Sequence, residues 1–109
     1  MINDHVAFAP FVLFEYHYEP GHYCLLLDDA HMLQIGHVFE ECGANGNGFG
    51  WARVARQVVR IRVPEVAAQV EFAPQAAVLA VRGTDLEALR RLGAVLRDVF
   101  HVDFIVEYV

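Results

Sequence analysis

Apolar residues recur at helical spacing in two long segments of the chain. Between residues 49 and 62 they fall at i, i+3, i+4, i+7 and i+8, which predicts an amphipathic helix with the stripe Trp51, Val54, Ala55, Val58 and Val59. Pro64 ends or kinks this helix, and a short helical turn is expected as far as Gln69. In the second segment Thr84 and Glu87 have capping-box spacing, with Thr84 as the predicted N-cap. The buried stripe of this second helix is predicted to be Leu86, Leu89, Leu92, Val95, Leu96, Val99 and Phe100.

Strand-forming residues cluster between turn signals. Residues 8–18 are rich in aromatic and β-branched side chains, and together with residues 23–27 they predict an antiparallel hairpin around Glu19-Pro20-Gly21-His22. Residues 70–72 and 77–82 predict a second hairpin. The last residues, from Asp103 to Val109, alternate loosely and predict a final strand.

A short helix is predicted to end near Cys42, with Gly43 in the position of a C′ glycine. The predicted order is then β-β-α-α-β-β-α-β. Because strands and helices do not alternate strictly, a parallel doubly wound sheet is not expected. The sequence predicts an α+β fold with an antiparallel sheet of about five strands and helices mainly on one face, in a single domain of residues 1–109.

The charge of the chain narrows the class of partner. Fourteen acidic residues face eight basic ones, all arginine, for a net charge of −6. This balance argues against nucleic-acid binding, which depends on neutralising phosphates, and suits a basic protein partner. The mean hydropathy of +0.32 indicates either a generous core or apolar surface meant for a partner.

The sequence shows no recognisable targeting signal and has few cysteines, so we expect a cytoplasmic protein. No apolar run approaches the roughly 20 residues of a membrane span, and the first residues lack the features of a signal peptide. Two cysteines, Cys24 and Cys42, do not make a disulfide scaffold, so free thiols are expected.

Catalytic and metal-binding patterns are weak. The chain has no serine, and its one threonine, Thr84, is assigned to a helix cap. Neither cysteine lies in an identifiable cationic setting, so no enzyme activity is expected. The six histidines lack zinc-motif spacing and are interpreted as surface residues, with no cofactor or metal expected.

Four glycines lie in the eight residues from Gly43 to Gly50. One interpretation is an interhelix loop in which asparagines make local turns and Trp51 anchors the loop to the core. Two alternatives are a partner-recognition loop and an anion site at the start of the next helix. No Lys-Ser or Lys-Thr follows, so the loop is not a P-loop.

The segment FEECGANGNGFGW, residues 39–51, resembles the immunity protein 51 family of bacterial polymorphic toxin systems. In that family a helix ending in acidic-acidic-small-Gly precedes a Gly-Asn-Gly-aromatic-x-Trp stretch. The segment VEFAPQA, residues 70–76, resembles the family's hairpin turn, and the resemblance extends over about residues 8–100. The departures are Phe49 in place of tyrosine, and Gly50, Ala73 and Gln75 in place of acidic residues.

The resemblance implies an immunity protein that binds and neutralises a cognate toxin by steric blockade, without catalysis. Its implied partner-binding residues are Glu40, Glu41, Asn45, Asn47, Phe49 and Trp51. Other candidates for contact are Tyr16, Tyr18, Tyr23, Glu15, Glu19, Asp28 and Asp29. The alternative is a small homodimeric regulatory domain, or one that binds a ligand or metal.

Overall fold

The computed structural model describes residues 1–101 and 104–109. Within them lies a five-stranded antiparallel sheet of order β1-β2-β3-β5-β4. The strands are β1 (Asn3–Asp4), β2 (Val12–Glu15), β3 (Tyr23–Asp28), β4 (Glu71–Gln75) and β5 (Val78–Gly83). The helices are α1 (Asp29–Gln34), α2 (Gly36–Glu41), α3 (Gly48–Arg62), α4 (Leu86–Val99) and α5 (Val102–Ile105), with a 3-10 helix at Pro64–Gln69. The predicted α+β class and the antiparallel sheet of five strands are confirmed.

The helices cover one face of the sheet. Because successive side chains of a strand point to opposite faces, alternate residues of the central strands are buried under the helices. On the covered face, the fully buried strand residues are Leu13, Leu25, Leu27, Leu79 and Val81, while Cys24 is buried on the other face. The five residues of the covered face join α3 and α4 in one core, while intervening residues such as Leu26 and Ala80 stay partly exposed. Both predicted hairpins are confirmed, with Leu13 opposite Leu25 in the first and Phe72 opposite Val81 in the second.

The position of the fifth strand was predicted wrongly. It lies at the N-terminus, where Asn3 pairs with Phe14. Of the predicted C-terminal strand, Asp103 lies outside the described residues, and the remainder forms the end of α5 and a turn. Ile105 and Tyr108 are buried while Phe104 is half exposed. The two buried residues are three positions apart, which is a helical spacing. The alternation of apolar residues in the sequence therefore wrongly indicated a strand.

The N-cap of α4 also differs from the prediction. Asp85, rather than Thr84, caps the helix, and its Oδ1 accepts from the Ala88 N–H at 3.1 Å. Both residue types are good caps, and the helix begins one residue later than the capping-box spacing suggested. Glu87 is therefore at the second helical position and not at the third.

The middle of the chain follows the predictions closely. α3 ends at Arg62 before Pro64, and the 3-10 helix ends at Gln69, as expected. The short helix predicted before the glycine loop is α2, and the helix α1 that precedes it was not predicted. Gly43 has φ +75°, the left-handed conformation that glycine adopts readily after a helix C-terminus.

Candidate partner-binding surface

The loop between α2 and α3 is held by its own asparagines. Asn45 Oδ1 accepts from the Asn47 N–H at 3.0 Å. Asn47 is the N-cap of α3, and its Oδ1 accepts from the Gly50 N–H, also at 3.0 Å. These bonds give the local turns expected of an interhelix loop.

Two glycines let backbone segments approach closely. A Cβ on Gly48 would lie 1.7 Å from the Gln75 carbonyl oxygen and 2.2 Å from that of Val78. A Cβ on Gly50 would lie 1.7 Å from the carbonyl oxygen of Asn45. The Gly48 N–H donates to the Ala76 carbonyl at 3.0 Å, which fastens the loop to the turn between β4 and β5. With the Gly48 and Gly50 N–H groups engaged in this way, the start of α3 has two fewer donors for an anion.

Trp51 lies in the core with an exposed fraction of 0%. Its ring is stacked on Phe100 at 5.4 Å between centroids and contacts Phe39 at 5.5 Å. Phe11 meets it edge-on at 6.2 Å. Trp51 therefore anchors the loop from within and is not on the surface that a partner can touch, contrary to its inclusion among the partner-binding residues.

The other five predicted residues are at least partly accessible and lie in or beside the loop between α2 and α3. Glu40 and Glu41 are exposed at the end of α2, and Asn45 is exposed in the loop. Asn47 is partly exposed because its side chain caps α3. Phe49, in the first turn of α3, exposes 53% of its surface although it is a large aromatic residue. We call these five residues the loop surface.

A concave region lies at the end of the sheet opposite the loop surface, where β3 begins and β5 ends. It has a volume of about 540 Å³ and is lined by Tyr16, Tyr18, Tyr23, Glu19, Glu71 and Arg82, among others. Arg82 Nη2 donates to Glu71 Oε1 at 3.0 Å. The sequence identified the three tyrosines and Glu19 as candidates. It did not join them to Glu71 and Arg82, because the second hairpin reaches this place only through the pairing of β3 with β5.

Burial is the main cause that shifts the pKa values of Tyr16, which lines this region, and of Cys24, which is hydrogen-bonded to Tyr16. It raises the pKa of Tyr16 to about 12, with a further contribution from its hydrogen bond with Cys24. Burial likewise raises the pKa of the Cys24 thiol. Both side chains are therefore neutral at pH 7, and Cys24 is protonated and buried while Cys42 is exposed.

Among the described residues, no group of three or more histidine, cysteine or carboxylate side chains is arranged to hold a metal ion. In the same part of the chain, no helix has the length and apolar character needed to cross a membrane.

Comparison with known proteins places these features in a family. Neither the curated proteins nor the solved structures give a match. A family model described as Immunity protein 51 matches residues 11–107, which include both hairpins, α3, α4 and the loop surface. The match covers nearly the whole chain, and the protein therefore belongs to the immunity protein 51 family.

Proposed function

We propose that this protein neutralises a cognate toxin of a bacterial polymorphic toxin system by binding it and blocking its working surface. It acts in the cytoplasm and without catalysis of its own. Membership of the immunity protein 51 family is the observation that carries this proposal. The acidic net charge of −6 supports a partner with a basic surface.

We assign the contact to the loop surface, Glu40, Glu41, Asn45, Asn47 and Phe49. Protein interfaces derive most of their affinity from a few anchors, often aromatic, surrounded by polar groups. Phe49 supplies an exposed ring beside two carboxylates. The asparagine bonds and the glycine contacts hold the loop in place before binding, so little ordering entropy is lost in the complex.

The test is coexpression with the toxin domain encoded beside the gene of this protein, scored by cell survival and co-purification. We expect the unchanged chain to protect the cell and to form a stable complex. Phe49→Ala should weaken the complex at least tenfold and reduce protection. Phe104→Ala is the matched control, because Phe104 also exposes 53% of its surface but lies in α5.

The result also separates this function from the homodimer alternative. Light scattering gives the mass of the free protein, which is 12.3 kDa for one chain. A dimer that persists on dilution, together with no complex and no protection, would contradict the proposal. Equal binding by Phe49→Ala and Phe104→Ala would contradict the loop surface alone.

A further inference from the structure

Acidic and basic residues are unevenly distributed along the chain, and the fold turns this into a separation in space. Residues 1–52 contain seven carboxylates and no arginine or lysine. Seven of the eight arginines lie on α3 and α4, in the layer that covers one face of the sheet. The exception is Arg82 on β5, which is paired with Glu71. At the end of the sheet where β3 begins, which we call the acidic hairpin end, the carboxylates Glu15, Glu19, Glu71 and Asp85 outnumber the one arginine, Arg82.

The concave region at this end combines aromatic and acidic walls, and we call it the tyrosine cleft: Tyr16, Tyr18, Tyr23, Glu19, Glu71 and Asp85, with Arg82 beside them. Three carboxylates face one guanidinium, which is already bonded to Glu71. Glu19 contacts only His22 at 3.4 Å among the described ion pairs, so the cleft has an excess of negative charge.

Two of the three tyrosines are in ring contact. Tyr16 and Tyr18 meet at 5.4 Å between ring centroids, and Phe14 contacts Tyr16 at 5.3 Å. Tyr18 exposes 71% of its surface. An aromatic face attracts a guanidinium or ammonium group through its quadrupole, and the attraction strengthens when the cation is partly desolvated. A row of tyrosines beside carboxylates that outnumber the one guanidinium suits a cationic side chain.

We propose that the tyrosine cleft is a second docking site, which receives an arginine or lysine side chain from a basic segment of the toxin. The inference rests on the proposed function, since the toxin supplies the cation. The volume of about 540 Å³ is within the range of small-ligand sites and accommodates such a side chain.

One interface can reach both sites. β3 runs from Tyr23 at the cleft to Asp28 at the other end of the sheet, a length of about 17 Å at 3.3 Å per residue. Asp28 pairs with Val78, and the Val78 carbonyl is the backbone group that Gly48 of the loop approaches. A standard interface of about 800 Å² per partner is about 30 Å across, which exceeds the length of β3.

The experiment measures the affinity of the full chain for the toxin domain encoded beside its gene, with substitutions in the cleft. Tyr18 and Glu19 are exposed, so their replacement leaves the core intact. We expect Tyr18→Ala and Glu19→Gln each to weaken binding five- to fiftyfold, while Tyr18→Phe retains most of the affinity because it keeps the ring. Asp98→Asn, an exposed carboxylate near the other end of α4 from Asp85, is the control and should leave affinity unchanged.

The outcomes separate the two proposals. If the unchanged chain forms no complex with the toxin domain, the proposed function fails. If the complex forms and the cleft variants bind as tightly as the unchanged chain, the cleft proposal alone is overturned. A penta-arginine peptide provides a probe without the toxin: NMR shifts at the amides of Tyr18, Tyr23 and Gly83, abolished by Tyr18→Ala, support the cleft. Shifts elsewhere, or none, count against it.

Discussion

Gly48 is the residue through which the α2–α3 loop touches the sheet, so it offers a direct test of the loop's geometry. We predict that Gly48→Ala destabilises the protein by about 1–3 kcal/mol, because its Cβ would collide with two backbone carbonyls that cannot move independently. Urea unfolding followed by the fluorescence of Trp51 measures the change. Gly36→Ala is the matched control, since a Cβ at Gly36 meets nothing within 4 Å. Equal effects of the two changes would mean that the close contact is absent.

Trp51 illustrates why single positions near a site are hard to assign from sequence. Its helical spacing with Val54, Ala55 and Val58 places it on the buried stripe, while the family resemblance associates it with the partner-binding segment. The structure agrees with the spacing, because the ring is enclosed by Phe11, Phe39 and Phe100. Two of these rings come from segments far away in sequence, so the local pattern indicates burial but cannot identify the neighbours.

The N-terminus of α4 allows a direct test of which residue caps the helix. Asp85→Ala removes the acceptor of the Ala88 N–H and should destabilise the protein by about 1 kcal/mol. Thr84→Ala should change the free energy of unfolding by only a few tenths of that, although the sequence favoured Thr84 as the cap. Thermal unfolding of both variants at pH 7 decides between the two residues. A larger effect at Thr84 would restore the capping box.

The first hairpin should make the protein sensitive to acid. Glu15 lies at the end of β2, and its carboxylate accepts from the N–H groups of Gly21 at 3.0 Å and Ile2 at 3.4 Å. The Gly21 bond is the main cause that lowers the pKa of Glu15 below the ordinary value of 4.5. A folded-state pKa below that of the unfolded chain adds stability above pH 4.5, and the gain is lost as pH falls through the folded-state value.

We therefore predict that Glu15→Gln has a smaller fall in Tm between pH 7 and pH 3 than the unchanged protein. At pH 7 the variant should be the less stable of the two, because the amide accepts these bonds without a negative charge. Circular dichroism during heating at several pH values measures both effects. Glu41→Gln controls for the loss of one exposed carboxylate, and an equal flattening by that change would show that the effect is not specific to Glu15.

Elements with strong local patterns were predictable, and those made by distant pairing were not. Helix α3 and the two hairpins follow from spacing, turn residues and Pro64, all of which act over a few residues. Strand β1 has two residues and no pattern of its own. It exists through its pairing with β2, including the bond from the Glu15 N–H to the Ile2 carbonyl at 2.9 Å. The last helix was missed because a short apolar alternation fits two periods.

The two candidate surfaces differ in how far the local sequence can identify them. The loop surface is one continuous segment, so a local motif could identify it. The tyrosine cleft is built from the first hairpin, the second hairpin and the start of α4, and only the sheet order brings them together. The acidic hairpin end likewise depends on which layer receives the arginines of α3 and α4.

This separation of charge predicts how the complex should form. Opposite charges accelerate encounter, and salt suppresses the effect because the Debye length falls from about 10 Å at 0.1 M to about 3 Å at 1 M. We expect the association rate constant with the toxin domain to fall about tenfold or more between 0.05 and 0.5 M NaCl, with a much smaller change in the dissociation rate. Surface plasmon resonance or stopped-flow fluorescence measures both.

Two charge reversals distinguish a local field from the net charge. Glu40→Lys and Asp98→Lys each change the net charge from −6 by the same amount, and both side chains are exposed. If the toxin approaches the loop surface, Glu40→Lys slows association several-fold, whereas Asp98→Lys, near the far end of α4, has little effect. Equal slowing by both changes would mean that only net charge guides the encounter, and neither the loop surface nor the tyrosine cleft would then draw support from the distribution of charge.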